Sequence, residues 1–208
     1  MFHVKHFHSA SDLRLYFLLS EPVVAKLEAY AELLVKWQQK INLVGPESLP
    51  ELWHRHVADS AQLLPLIPKS TRRLVDLGAG AGFPGLVLSI LGVPDVHLVE
   101  SDQRKAVFLR EVIRVTECSA VVHVARIEQV EPLAADVVTA RALAPLVRLI
   151  PLALPHLVGS GICVFPKGKA AEDELTEAGK EWIMAARRVG SITDPHASIL
   201  VLSEVKRG

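Results

Sequence analysis

Asp76-Leu77-Gly78-Ala79-Gly80-Ala81-Gly82-Phe83-Pro84-Gly85 is the stretch on which the reading of this chain turns. It completes Arg73-Leu-Val-Asp-Leu77, a short apolar run of the kind a buried parallel strand shows. It leads into Leu86–Leu91, which continues as a helix. Glycine tolerates the backbone angles of a tight turn and lets a ligand approach the main chain closely. Pro84 fixes its own dihedral where the helix begins. A glycine-rich turn between a strand and a helix is the context in which this fingerprint implies a nucleotide-like ligand. The alternative is a bare strand-to-helix turn, which does not need glycine at positions 78, 80, 82 and 85 together.

Outward from the turn, Val96–Glu100, Ala120–Val124, Asp136–Thr139 and Gly161–Pro166 read as further strands, with helices over Gln103–Val115 and Pro145–Leu157. Strands alternating with helices imply a mostly parallel sheet covered on both faces. Glu172–Arg188 is expected to be a helix, followed by late strands at Ser191–Thr193 and Ser198–Val205 that add an antiparallel edge. Before the turn, Val23, Leu27, Tyr30, Leu34 and Trp37 recur at helical spacing, and Leu49–Leu64 opens another helix. The expected organisation is a helical extension over 1–70 and a Rossmann-like α/β domain over 71–208, forming one compact unit.

The turn alone does not name its ligand. Gly80-x-Gly82-x-x-Gly85 also satisfies the dinucleotide pattern of a nicotinamide-dependent oxidoreductase. Asp76 argues against that reading, because a carboxylate there repels a pyrophosphate docked at the helix N-terminus. It suits the cationic amino group of a methionine moiety and so favours S-adenosylmethionine. Glu100 ends the second strand, where an acidic side chain can accept from both ribose hydroxyls, with Ser101 and Asp102 beside it. Ile127 and Glu128 follow the third strand, where they can face an adenine ring and its amino group; a surface turn is the alternative. Arg141 ends the fourth strand, placed for contact with substrate, and a surface ion pair is its alternative.

Composition bounds the remaining choices. The chain has 208 residues, 50% of them hydrophobic and 22% charged, which indicates an ordered globular protein. Its 23 basic and 23 acidic residues cancel, which argues against coating nucleic acid by charge alone, though not against a local basic face. Cys118 and Cys163 form no CxxC pair, so neither a disulfide framework nor a metal site is expected, and a reducing cytoplasm fits. The N-terminal stretch lacks the apolar run of a signal peptide. The uncharged run Leu149–Pro166 is broken by Pro151, Pro155, Gly159 and Gly161, so no membrane span is expected. A cytoplasmic monomer is the expected state.

The glycine stretch, with Phe83-Pro84 before its last glycine, resembles that of the bacterial 16S ribosomal RNA guanine-N7 methyltransferase G family, also called glucose-inhibited division protein B. Three further segments agree. Trp37-Gln-Gln-Lys-Ile-Asn42-Leu-Val resembles the family's tryptophan-asparagine-leucine signature, and His56-Val-Ala-Asp59-Ser60 its histidine-x-x-aspartate-serine signature. Arg141-Ala142 and Lys167-Gly168 match its later basic positions. The similarity runs from about Val23 to Lys169. The resemblance implies a class I S-adenosylmethionine-dependent methyltransferase fold with an N-terminal helical extension. It implies methylation of N7 of one guanine in 16S ribosomal RNA, presented as free RNA or in the small ribosomal subunit. It places Gly78, Phe83, Ile127, Glu128 and Arg141 at the cofactor, with Glu100 to Asp102 nearby; Gly80 joins them from the turn itself. The part after Lys169 carries no family signature.

Guanine N7 bears a lone pair and no hydrogen, so its methylation needs no general base, and no catalytic dyad is expected. Aligning N7, methyl and sulfur is the main task of such an enzyme, with Arg141 positioning the substrate. Arg126, Arg141 and Lys167 follow consecutive strands and are expected to form a cationic rim that holds RNA. Two other classes remain to be weighed: a nicotinamide-dependent oxidoreductase, and a non-catalytic RNA-binding or assembly protein of the same fold.

Overall fold

The computed structural model describes residues 5–208. Residues 1–4, part of the stretch in which no signal peptide is expected, lie outside the described residues. The chain opens with α1 (Ala10–Phe17), whose N-terminus is closed by a reciprocal capping box between Ser9 and Asp12. Next comes α2 (Glu21–Gln38), with Pro22 in its first turn, where its missing amide hydrogen costs nothing. Leu27, Tyr30, Ala31 and Leu34 form its buried face, the apolar stripe visible in the sequence. A short 3-10 segment (Pro46–Glu51) and a π-helical segment (Trp53–Ala58) lead into α3 (Asp59–Ala61).

The remaining chain builds a seven-stranded sheet. Its strands are β1 (Leu74–Leu77), β2 (Val96–Val99), β3 (Ala120–His123), β4 (Ala135–Thr139), β5 (Leu157–Lys167), β6 (Trp182–Gly190) and β7 (Ser198–Arg207). The order is β3-β2-β1-β4-β5-β7-β6, parallel through β5 and antiparallel for β7 and β6. The connecting helices are α4 (Gly85–Ile90), α5 (Gln103–Thr116), α6 (Leu146–Ala153) and α7 (Ala171–Ala178). This is the class I methyltransferase architecture expected from the sequence. The strand order reverses between β1 and β4, so their carboxyl ends flank the crevice where open α/β sheets bind ligands.

Every residue of β1 is buried, because both faces of the sheet are covered. Side chains alternate across the strand. Leu74 joins a core shared with Tyr30, Leu34, Leu86 and Phe108, so the helical extension forms one wall of that layer. Val75 and Leu77 join the opposite core with Leu146, Leu149 and Ile150 of α6.

Two expectations are corrected. Glu172–Arg188 is not one helix: α7 stops at Ala178, and Trp182–Gly190 is strand β6. Gly179 ends the helix, and β7 then supplies antiparallel pairing along the whole segment, overriding the helical bias of Met184-Ala-Ala186. Ser191–Thr193 is not a strand but the start of the β6–β7 turn. Among the described residues, no helix is long and apolar enough to cross a membrane.

Candidate functional site

The glycine turn leaves β1 with Gly78, Gly80 and Gly82 at φ +66, +57 and +95, angles that side chains rarely adopt. The three positions serve different ends. A Cβ at Gly82 would lie 2.3 Å from Leu86 Cδ1 and 2.9 Å from the Tyr30 hydroxyl, so this glycine lets the N-terminal helices reach the turn. A Cβ at Gly78 would lie 2.7 Å from Leu143 Cδ1, on the loop after β4. A Cβ at Gly80 would meet nothing closer than Gly78 O at 3.8 Å. Open space therefore lies against the backbone at Gly80, where a ligand can reach the main chain.

Asp76 stands in β1 just before the glycines and is tied to its neighbours. It is buried, and its Oδ2 accepts from Gly85 N at 2.9 Å while Oδ1 accepts from the Thr139 hydroxyl at 2.8 Å. Its carboxylate staples the far end of the turn to β1 and β4. Burial raises its pKa to about 7, against the hydrogen bonds from Thr139 and Gly85 and the charge of Arg141.

Glu100 is buried just beyond β2 and braces the crevice from that side. One oxygen accepts from Gly80 N at 2.8 Å and the other from Asp102 N at 2.7 Å. Asp102 caps α5 through Arg104 N and Lys105 N, which satisfies amides left free at a helix start. Ser101 is exposed between them. The turn, Glu100 and the Ser101–Asp102 loop thus meet through Glu100. Ile127, Glu128 and Arg126 stand at the turn after β3, with Ile127 half-buried and Arg126 and Glu128 exposed.

Arg141 is a hub. Its Nη1 donates to Arg55 O at 3.0 Å and to Asp59 Oδ2 at 3.2 Å, and its Nη2 to His56 Nδ1 at 2.8 Å. Its guanidinium lies 5.2 Å from the Phe83 ring centre, and His56 stacks on the same ring at 5.0 Å. Burial together with Arg141 and Arg55 pushes the His56 pKa down to about 3. The histidine is therefore neutral and serves as a spacer, donating from Nε2 to Ser48 Oγ at 2.8 Å. The Asp59 carboxylate in turn accepts from Gln62 Nε2 at 2.8 Å and Thr193 Oγ1 at 2.9 Å.

The expected cationic rim is also corrected. The Lys167 side chain is only 9% exposed, with Nζ 2.8 Å from both Ala144 O and Glu174 Oε2. Arg141 is likewise paired, its side chain 18% exposed. Of the three residues only Arg126 is exposed. Beside Arg141 opens a cavity of about 920 Å³, lined by the π-helical segment, Ala142, Pro166–Gly168 and the β6–β7 turn.

Sequence reasoning missed Leu143, Glu174 and the Ser191–Thr193 turn. The histidine-x-x-aspartate pattern signalled His56 and Asp59, though not that both act on Arg141. The residues present fit S-adenosylmethionine: a backbone open at Gly80, a carboxylate beside it at Glu100, and an apolar side chain, Leu143, over Gly78.

A family profile described as rRNA small subunit methyltransferase G (GidB) matches residues 23–200. The chain is 62% identical over 190 residues to ribosomal RNA small subunit methyltransferase G of Paramagnetospirillum magneticum, covering 91% of this chain and 93% of the relative. It is 56% identical over 196 residues to the protein of the same name from Rhodospirillum centenum, covering 94% of this chain and 91% of that one. Among solved structures, a putative O-methyltransferase from Klebsiella pneumoniae aligns with a TM-score of 0.60 at 13% identity, over 94% of this chain and 97% of the other. TYW2 of M. jannaschii, in complex with AdoMet, aligns with a TM-score of 0.55 at 14% identity, over 74% and 76%. Those likenesses concern the fold, whereas the profile and the close relatives concern descent: the chain belongs to the rRNA small subunit methyltransferase G family.

Proposed function

We propose that the protein transfers the methyl group of S-adenosylmethionine to N7 of one guanine in 16S ribosomal RNA, acting in the cytoplasm as a monomer. The family gives the substrate class. The observation that carries the reading within the structure is the meeting of Glu100 with Gly80 N and of Arg141 with Phe83 of the same turn, at the carboxyl ends of β1, β2 and β4, with Arg141 also lining a cavity of about 920 Å³.

The cofactor supplies an activated methyl group when bound. Gly78, Gly80 and Glu100 would hold it, with Phe83, Ser101, Asp102, Ile127 and Glu128 around it. The rest of the task is alignment and electrostatics. N7 carries no proton to remove, and the groups around Arg141 match that: His56 is neutral with both ring nitrogens engaged, and Asp59 is held in an ion pair. Methylation leaves the guanine cationic. Asp59, Glu174 and Glu51 line the cavity paired with Arg141, Lys167 and Arg55, so among its described carboxylates Asp194 is the one without an ion pair to offer that charge.

The test is mass-spectrometric mapping of 7-methylguanosine in 16S RNA from cells with and without the gene, with free RNA and small subunits then compared as substrates of the purified protein. One guanine losing its methyl group on deletion is the expected result. An unchanged methylation map would refute the proposal. A melting temperature that shifts with NAD rather than S-adenosylhomocysteine would restore the oxidoreductase reading.

A further inference from the structure

The loop from Arg141 to Pro145 packs against Gly78 of the glycine turn and is tied at both ends. At its start, Arg141 is held by Asp59, His56 and the Arg55 carbonyl. At its end, Lys167 Nζ reaches Ala144 O at 2.8 Å, and Glu174 Oε2 accepts from Lys167 at 2.8 Å and from Leu146 N at 2.7 Å. Between the ties, Ala142 sits at φ +52, a conformation that a residue with a Cβ holds only when its surroundings impose it. The loop carries Leu143 onto Gly78, with Leu143 Cδ1 2.7 Å from the place where a Cβ on that glycine would stand. Leu143 is 36% exposed, so an apolar side chain overlies the open face of the turn without being part of the core.

We propose that Lys167 and Glu174 are positioning residues that hold this loop so that Leu143 forms an apolar wall of the methyl-donor site. The proposal rests on the cofactor reading above. It gives Lys167 a different task from a phosphate contact. Two of the three ammonium hydrogens already face a carboxylate and a carbonyl, so a phosphate would have the third alone, at a side chain that is 9% exposed. Glu174 also accepts from the first amide of α6, so the pair fixes the helix that follows the loop as well as the loop. Glycine at Gly78 is explained in the same terms, since a side chain there would displace Leu143.

Three variants test this, each read by S-adenosylhomocysteine affinity in calorimetry and by RNA affinity over a salt series. Leu143→Ala changes no charge and removes no core residue, so it folds whatever happens to the others. It is expected to weaken S-adenosylhomocysteine binding by about fivefold to tenfold, through lost apolar contact. Lys167→Met and Glu174→Gln should both weaken it in the same direction and leave the salt slope of RNA binding at the wild-type value. Lys167→Arg should restore part of the loss. A shallower salt slope in Lys167→Met, with Glu174→Gln binding S-adenosylhomocysteine like wild type, overturns the proposal and makes Lys167 a phosphate contact. Unchanged or tighter S-adenosylhomocysteine binding by Leu143→Ala overturns it too. If the wild-type protein does not bind S-adenosylhomocysteine, the cofactor reading itself fails, a result distinct from either of these.

Discussion

Arg141 donates from Nη2 to Nδ1 of His56 across 2.8 Å, and this contact sets the tautomer of a histidine that burial, with Arg141 and Arg55, keeps neutral. Nδ1 must carry the lone pair, so the ring hydrogen sits on Nε2 and points to Ser48 Oγ, which donates onward to Gly45 O at 2.8 Å. A second proton on the ring would face a guanidinium.

Stability should therefore depend on pH through His56. Its folded pKa, about 3, lies below the ordinary value of 6.5, so on acidification the unfolded chain takes up the proton first. The stabilisation is present above about pH 6.5 and is lost as pH falls toward 3. Urea unfolding of wild type and His56→Gln at about pH 7 and about pH 5 checks this. The advantage of wild type should shrink by on the order of 1–2 kcal/mol at the lower pH. A gap independent of pH would mean that the imidazole is not held neutral.

Asp76→Asn separates a turn staple from a ligand contact. The amide can still accept from Gly85 N, so S-adenosylhomocysteine affinity should stay within about threefold of wild type. A carboxylate bound to the methionine amino group would be missed by tenfold or more, roughly the worth of a hydrogen bond to a charged group. The pH dependence runs opposite to that of His56. A folded pKa raised to about 7 gives stability that is full below the unfolded value of 3.8 and lost as pH rises through 7. Asn should therefore gain on Asp as the buffer moves from about pH 5 to about pH 8, as read by thermal unfolding.

Gly80→Ala and Gly82→Ala should fail differently. At Gly80 the added methyl enters open space, so calorimetry should find S-adenosylhomocysteine binding reduced at least tenfold while circular dichroism stays near wild type. The left-handed angle costs about 1–2 kcal/mol of stability in either variant. At Gly82 the methyl also collides with Leu86 and the Tyr30 hydroxyl, so the melting temperature should drop further than for Gly80→Ala. Equal drops would place both glycines in the same role.

Arg126 is the exposed member of the trio that sequence position grouped together. Arg126→Ala should weaken RNA binding, with the slope of log affinity against log salt shallower by about one unit, and leave S-adenosylhomocysteine affinity unchanged. Filter binding across a salt series reads both RNA quantities. An unaltered slope would remove Arg126 from the RNA face.

The sequence reveals most where the signal is local. β1, the glycine turn, β2 and Glu100 follow one another within a single βαβ unit, and each carries its own pattern of apolar runs and turn residues. The positions of Arg141 and Lys167 were legible for the same reason. Their states were not, because an arginine is free or paired according to residues far along the chain. Asp59 lies on the helical extension, and Glu174 on a helix that carries no signature. Strand β6 was read as helix because its pairing with β7 is non-local, whereas helical propensity is a property of the segment alone. Thr193 reaches Asp59 across 134 positions of sequence, and nothing in Ser191-Ile-Thr193 announces it.

Tyr30 lies on α2, buried, with its ring stacked on Phe83 at 5.3 Å and its hydroxyl donating to Ala81 O within the glycine turn. An element outside the sheet thus supplies a hydrogen bond to the glycine turn itself. A fragment that begins at the first strand would keep every glycine of the turn and still lack the wall on which the turn leans, and its ligand affinity should fall with its stability. Sequence drift along α2 should be read as drift in the support of the glycine turn.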